Sequence, residues 1–349
     1  MTFPPPLIIP PLKQPHHQTF IILHGRGSSA QKFGPSLLAT EFAIPGRLVS
    51  SRPEHKPLAS ISVPVGSSEP IIATCTLPSV FPHAKFIFPT APRTRATLYK
   101  RAKTNQWFDN WILGSQANER EELQAPGLKQ TVTYLHGLLK SEIDTCPGGS
   151  RNVILWGLSQ GCAASLVSLL LWDNEDMDPL GGVVGMCGWL PYTLRIEAEM
   201  GLSEERDNKA DGEEDDPFHP FEWDAKQEMV DDGEDPFERS VGEEQSKELD
   251  PAGRAIEWLR TEIELDQSKE QGKAKDSGFK PIPVFLGHGV EDGNVSITLG
   301  RTAFSCLTDL GVERAEWKEY EGLGHWYSAE MLSDIVDWIW RETGWKRTG

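Results

Sequence analysis

The apolar run Asn152-Val153-Ile154-Leu155-Trp156 passes directly into Gly157-Leu158-Ser159-Gln160-Gly161, and a stretch rich in Ala and Leu follows from Cys162 to Leu171. A short continuous apolar run reads as a strand buried on both faces. The Ala/Leu stretch that follows reads as a helix. A chain that goes from strand to helix within five residues must reverse sharply, with one residue strained at the tip. Side chains two positions either side would collide, which accounts for glycine at 157 and 161. The tip is Ser159, and its hydroxyl meets the N-terminus of the following helix, whose dipole favours developing negative charge. In a chain with 32 glycines the five-residue run alone is modest evidence. The strand before it and the helix after it make it a nucleophile elbow.

Similar apolar runs occur at 19–24, 85–88, 182–186 and 283–286, with a weaker alternating strand at 316–320. Helical spacing fills the intervals: 30–42, 118–144 (Leu128, Val132, Leu135, Leu139), the stretch after Ser159, 295–310, and 328–342 (Met331, Ile335, Trp338, Ile339). Strands alternating with helices predict the α/β class: a mostly parallel central sheet with helices on both faces and right-handed crossovers. The expected organisation is a proline-rich N-terminal segment, 1–18, and a single α/β-hydrolase domain, 19–349. Two insertions interrupt that domain. The stretch 45–82 is rich in Pro and Ser and is expected to be irregular. The stretch 197–280 is acidic and expected to be disordered. Residues 201–250 hold 20 acidic and 5 basic residues, a net of −15 out of −18 for the chain. The remainder is therefore close to neutral. Inside the acidic stretch, Ala252 to Leu265 has the spacing of one amphipathic helix.

A serine hydroxyl needs a general base. In this fold the order along the chain is Ser, acid, His. His325 lies in a glycine-containing loop (Gly322-Leu323-Gly324) after the last strand and is the final histidine of the chain. His16 and His17 precede the first strand, His136 falls on a helix and His219 lies in the acidic stretch. The acid is expected in Gly287-His288-Gly289-Val290-Glu291-Asp292-Gly293-Asn294-Val295, after the preceding strand. Asp292 is preferred over Glu291 because a turn-forming glycine and the next helix follow it; His288 reads as structural. Acyl transfer also needs two N–H donors aimed at the oxyanion. One is the amide of Gln160. The other is the amide of Arg26, in the loop His24-Gly25-Arg26-Gly27-Ser28 after the first strand. No Lys-Ser/Thr pair follows that loop, so it is not a P-loop.

Seven pieces of the chain, in order, resemble the acyl-protein thioesterase and phospholipase/carboxylesterase family of α/β-hydrolases. They are Leu23 to Gly27, Phe88 to Pro92, Gln106 to Asp109, Gly157 to Gly161, Gly185 to Pro191, His288 to Val295, and Gly324-His325. The resemblance implies hydrolysis of acyl esters or thioesters, with Ser159, Asp292 and His325 as triad. It also implies that Trp107 and its loop line the acyl site. The chain departs from the family's pattern at Arg26, at Ser28 and at Trp326, which follows the histidine.

A net charge of −18 argues against nucleic acid and against an anionic membrane surface. No run of about 18 apolar residues is present, so no membrane span is expected. The apolar N-terminus is broken by prolines and lacks a basic start, unlike a signal peptide. Five widely spaced cysteines without a CxxC pair suggest thiols in a reducing compartment, and the expected location is cytoplasmic. No metal or organic cofactor is needed for the chemistry. The expected partner is an acyl ester or acylated protein substrate, and the chain is expected to be a monomer or dimer. The alternative is a non-catalytic α/β-hydrolase-fold protein that uses its acidic insertion to bind a basic partner. A peptidase or lipase on the same triad is a further reading.

Overall fold

The computed structural model describes residues 2–48, 72–113, 119–172, 178–202, 249–265 and 278–345. In chain order the first elements are β1 (Leu7–Ile9), β2 (Gln18–Leu23), α1 (Ala30–Ala39), β3 (Phe42–Leu48), β4 (Ile72–Cys75), α2 (Leu77–Val80) and β5 (Ala84–Phe88). Then come β6 (Arg93–Ala96), β7 (Ala102–Asn105), α3 (Ala125–Thr145), β8 (Val153–Leu158), α4 (Gln160–Leu170) and β9 (Gly182–Met186). The last are α5 (Thr193–Met200), α6 (Pro251–Glu262), β10 (Val284–Gly289), α7 (Ile297–Asp309), β11 (Ala315–Tyr320) and α8 (Ala329–Thr343).

Seven strands form the central sheet in the order β1-β5-β2-β8-β9-β10-β11. Only β1 runs antiparallel to its neighbour; the other pairs are parallel. The apolar runs are continuous because both faces are covered. Side chains alternate across the sheet. Phe20, Ile22, Ile154 and Trp156 join the core shared with α1 and α8. Ile21, Leu23, Val153 and Leu155 join the core shared with α3, α4 and α7. Register keeps the layers aligned: Phe20 lies beside Ile154, Ile21 beside Leu155, and Ile22 beside Trp156.

Three expectations change. The proline-rich segment 1–18 is not outside the sheet. Leu7-Ile8-Ile9 pair antiparallel with Phe88-Ile87-Phe86 as an edge strand, the position where flanking prolines are tolerated. Phe3 also stacks on Tyr134 of α3, centroids 4.1 Å apart. The stretch 45–82 is not irregular throughout. β3 and β4 form a two-stranded antiparallel sheet across it, and α2 follows; residues 49–71 lie outside the described residues. In 197–280, the amphipathic helix expected at 252–265 appears as α6, with Asp250 capping it by accepting from the Gly253 N–H. Ala252, Ala255 and Leu259 are buried, and Trp258 meets Tyr192 edge-on at 5.8 Å. This helix therefore belongs to the core. The rest of the acidic stretch, 203–248 and 266–277, lies outside the described residues.

The sheet's arrangement decides where chemistry is possible. β2, β8, β10 and β11 are parallel, so their C-terminal ends share one edge, where open α/β sheets bind ligands. His24, Ser159, Asp292 and His325 all follow those ends in sequence.

Candidate active site

Ser159 sits between β8 and α4 at φ 57° and ψ −122°, a strained backbone for a residue with a Cβ. Its N–H donates to Met186 O at 2.8 Å, which anchors the tip to β9. A Cβ on Gly161 would stand 2.7 Å from Leu23 O, and one on Gly157 would strike the Gly161 carbonyl. Both obstacles are backbone and cannot swing away. Gly161→Ala is therefore expected to cost about 1–3 kcal/mol. A urea denaturation midpoint equal to wild type would show that the elbow tolerates a methyl group there.

The Ser159 Oγ lies 2.8 Å from His325 Nε2, and His325 Nδ1 lies 2.7 Å from Asp292 Oδ2. Asp292 is the buried member of the acidic pair, whereas Glu291 is exposed. Asp292 Oδ1 accepts the amides of Asn294 and Val295, both at 2.9 Å. Its Oδ2 also stands 3.2 Å from His288 Nε2, which is 3.0 Å from Val295 O as well. Both neighbours of that nitrogen are acceptors, so His288 Nε2 carries the hydrogen. Burial alone would raise the Asp292 pKa. Hydrogen bonds from His288, His325 and the two amides outweigh burial and hold the carboxyl well below the usual carboxylate range. The result is an ionised, fully hydrogen-bonded carboxylate facing Nδ1 of His325.

The loop carrying His325 is tied to β9. Cys187, at φ 47°, donates its thiol to Trp326 O at 3.1 Å. The Trp326 ring, 47% exposed, stacks on Tyr327 at 5.1 Å and meets Phe33 of α1 edge-on.

The two amides expected to face an oxyanion are those of Gln160, which follows Ser159 directly, and Arg26, in the loop after β2. Gln160 is the first residue of α4, whose N-terminal N–H groups have no partner within the helix. Arg26 follows Gly25, where a Cβ would come 3.2 Å from Ser159 Cβ. The Arg26 guanidinium faces the Tyr99 ring at 5.8 Å; burial lowers its pKa, opposed by Tyr99 and Asp109.

Three side chains near the serine have roles that the sequence reading did not give them. Gln160 Oε1 accepts the Trp107 N–H at 3.0 Å, while its Nε2 donates to Phe108 O at 2.7 Å and Asn110 Oδ1 at 3.1 Å. One side chain thereby clamps residues 107–110 to the elbow. His288, read as structural, supports Asp292. His24 braces the loop that bears Arg26. Trp107 is 1% exposed; its indole N–H donates to His24 O at 2.8 Å, and Thr131 donates to its carbonyl at 2.6 Å. Periodicity carries no signal for such side-chain-to-backbone bonds.

Among the described residues there is no group of three or more His, Cys, Asp or Glu suited to hold a metal ion. None of the helices described is long and apolar enough to cross a membrane. All five cysteines are buried.

The model of the phospholipase/carboxylesterase family matches residues 65–206. Acyl-protein thioesterase 1 of Yarrowia lipolytica is 23% identical over 337 residues, covering 96% of each chain. Carboxylesterase SOBER1 of Arabidopsis thaliana is 26% identical, covering 74% of this chain and 77% of that one. The crystal structure of Arabidopsis SOBER1 superposes with TM-score 0.53 at 20% identity, covering 93% of this chain and 99% of the other. That of Zea mays acyl-protein thioesterase 2 gives 0.52 at 18% identity, covering 97% and 99%. At such identities the structures speak to the fold, and the fold is that of the α/β-hydrolases. The chain has the α/β-hydrolase fold and is similar, over residues 65–206, to the phospholipase/carboxylesterase family, which supports a hydrolase of the ester and thioester class.

Proposed function

We propose that the chain cleaves acyl esters and thioesters through a covalent acyl-enzyme on Ser159. The observation that carries this reading is the continuous chain of hydrogen bonds from Ser159 Oγ through His325 to the Asp292 carboxylate. In the first half-reaction His325 Nε2 takes the hydroxyl proton as Oγ attacks the acyl carbonyl. The oxyanion is held by the main-chain N–H groups of Gln160 and Arg26. As the intermediate collapses, His325 returns the proton to the departing alcohol or thiol. In the second half-reaction His325 takes a proton from water as it attacks the ester carbonyl on Ser159, then returns that proton to Ser159 Oγ as the acyl C–Oγ bond breaks and the acid leaves. Asp292 stabilises the imidazolium and fixes its tautomer without itself taking the proton.

The acyl chain lies beside the 107–110 loop, which Gln160 holds against the elbow, while the Trp107 ring itself packs in the core beneath that loop. The substrate is an acyl ester or an acylated protein, in keeping with the names of the relatives, and buried thiols fit work in the reducing cytoplasm.

The test is labelling with a fluorophosphonate probe, beside turnover of para-nitrophenyl esters and acyl thioesters from acetyl to palmitoyl. Labelling at Ser159 and turnover of at least one series are expected. A folded protein that neither labels nor turns over any of them would overturn the reading.

A further inference from the structure

We infer that His24 is a positioning residue that sets the direction of the Arg26 N–H by holding the opposite end of the same peptide. The inference deepens the proposed function and rests on its assignment of Arg26 as an oxyanion donor.

His24 lies at the end of β2 and is 1% exposed. Its Nε2 accepts the Ala91 N–H at 3.1 Å, so the hydrogen must reside on Nδ1. Burial, only partly offset by the bond to Gly25, lowers the ring's pKa to about 4, so it is neutral at ordinary pH. The tautomer is therefore fixed, and Nδ1–H donates to Gly25 O at 2.7 Å. The Ser28 N–H donates to the same oxygen at 3.2 Å. The 25–26 peptide is trans; among the described residues the cis peptide is Gln14–Pro15. In a trans peptide C=O and N–H point in opposite directions. Two donors that hold Gly25 O on one side therefore hold the Arg26 N–H on the other. Among the described residues no acceptor takes that N–H.

Glycine at 25 and at 27 makes this restraint necessary. Gly27 has φ +80° and both glycines have wide conformational freedom. Without a lock, rotation about the bonds flanking the peptide would turn the carbonyl toward the substrate oxygen and the donor away. An acceptor in that place repels the developing negative charge. A buried, neutral, single-tautomer imidazole is suited to prevent this, because its own donor does not change with pH near neutrality. Trp107 adds a second brace, donating its indole N–H to His24 O at 2.8 Å.

The test compares His24→Leu and His24→Asn with wild type on a para-nitrophenyl ester that wild type hydrolyses. Asn places a side-chain N–H near the position of Nδ1 and lacks the Nε2 acceptor. Leu lacks both. His24→Leu is expected to lower kcat about 10²- to 10³-fold, the range for one oxyanion donor, with KM within about threefold. His24→Asn is expected to keep kcat within about tenfold. Affinity for an arylboronic acid, which forms a tetrahedral adduct on the serine, should fall in proportion to kcat/KM across the set. A purely structural role would lower melting temperature without that proportionality. A folded His24→Leu with kcat within threefold of wild type overturns the inference. So does a loss of kcat with unchanged boronate affinity. If His24→Leu does not fold, His24→Asn decides: retention of kcat within tenfold supports the lock, and a larger loss overturns it. Folded wild type that neither labels with fluorophosphonate nor turns over any ester or thioester would instead overturn the proposed function, so the two failures are distinguishable.

Discussion

Ser159→Ala is expected to lower kcat for ester hydrolysis by about 10⁶-fold and to abolish fluorophosphonate labelling. The size follows from what is lost. No neighbouring group can replace Oγ, because the side chains around the tip are committed elsewhere: His325 to Asp292, Gln160 to the 107–110 loop, Cys187 to Trp326. Alanine keeps a Cβ, so the strained turn is retained and its strain is unchanged. Melting temperature should stay within a few degrees of wild type. Rates measured with active-site-titrated wild type as reference would sink the assignment if the variant retained a tenth of the activity.

Asp292→Asn is expected to lower kcat by about 10⁴-fold. The variant replaces an acceptor with an amide that donates toward Nδ1. The ring then carries its hydrogen on Nε2, where it can no longer take the serine proton. The same substitution should change the acid limb of stability. Asp292 has a folded-state pKa held below its unfolded one, against the cost of burial and through hydrogen bonds from His288, His325, Val295 and Asn294. Its ionisation therefore contributes stability that is fully present above the ordinary carboxylate pKa of about 3.9. That contribution is lost as pH falls through the depressed folded value. Wild type should lose denaturant midpoint below about pH 5 more steeply than Asp292→Asn. Parallel acid limbs for the two proteins would show that the carboxylate is not the group responsible.

What could be read in the chain divides along physical lines. Buried parallel strands announce themselves as apolar runs, so the cores of β2, β5, β8, β9 and β10 were legible. The long helices α3, α7 and α8 carry a 3.6-residue stripe. Ser159, Asp292 and His325 were legible from the serine–acid–histidine order that the resemblance implies, each after a strand, and these strand ends share one edge of the sheet. β1 was missed because three apolar residues between prolines resemble a linker until an edge strand is there to pair with them. The hairpin of β6 and β7 escaped notice because Arg93-Thr94-Arg95 and Ala102-Lys103-Thr104 have no apolar alternation to read. α6 was recognised as a helix but assigned to a disordered stretch, since local acidity dominates a composition count and tertiary burial of Leu259 does not appear in one. The supporting contacts of His24, His288 and Gln160 are side-chain bonds to groups distant in sequence, which leave no periodic trace.

The packing of α6 on α5 has a consequence for how such a chain can change over generations. Tyr192, just before α5, and Trp258, in the middle of α6, touch across an interval of sequence that includes 201–250, where −15 of the chain's net −18 falls. Whatever that interval contains, it departs from one helix and returns to the helix docked beside it. Closing a longer loop between two fixed ends adds only about 0.6 kcal/mol for each doubling of its length. The junction of α5 and α6 is therefore a place where a flexible insertion would lengthen or shorten at small thermodynamic cost. Selection can rewrite the interval there while the strand ends that carry Ser159, Asp292 and His325 stay as they are.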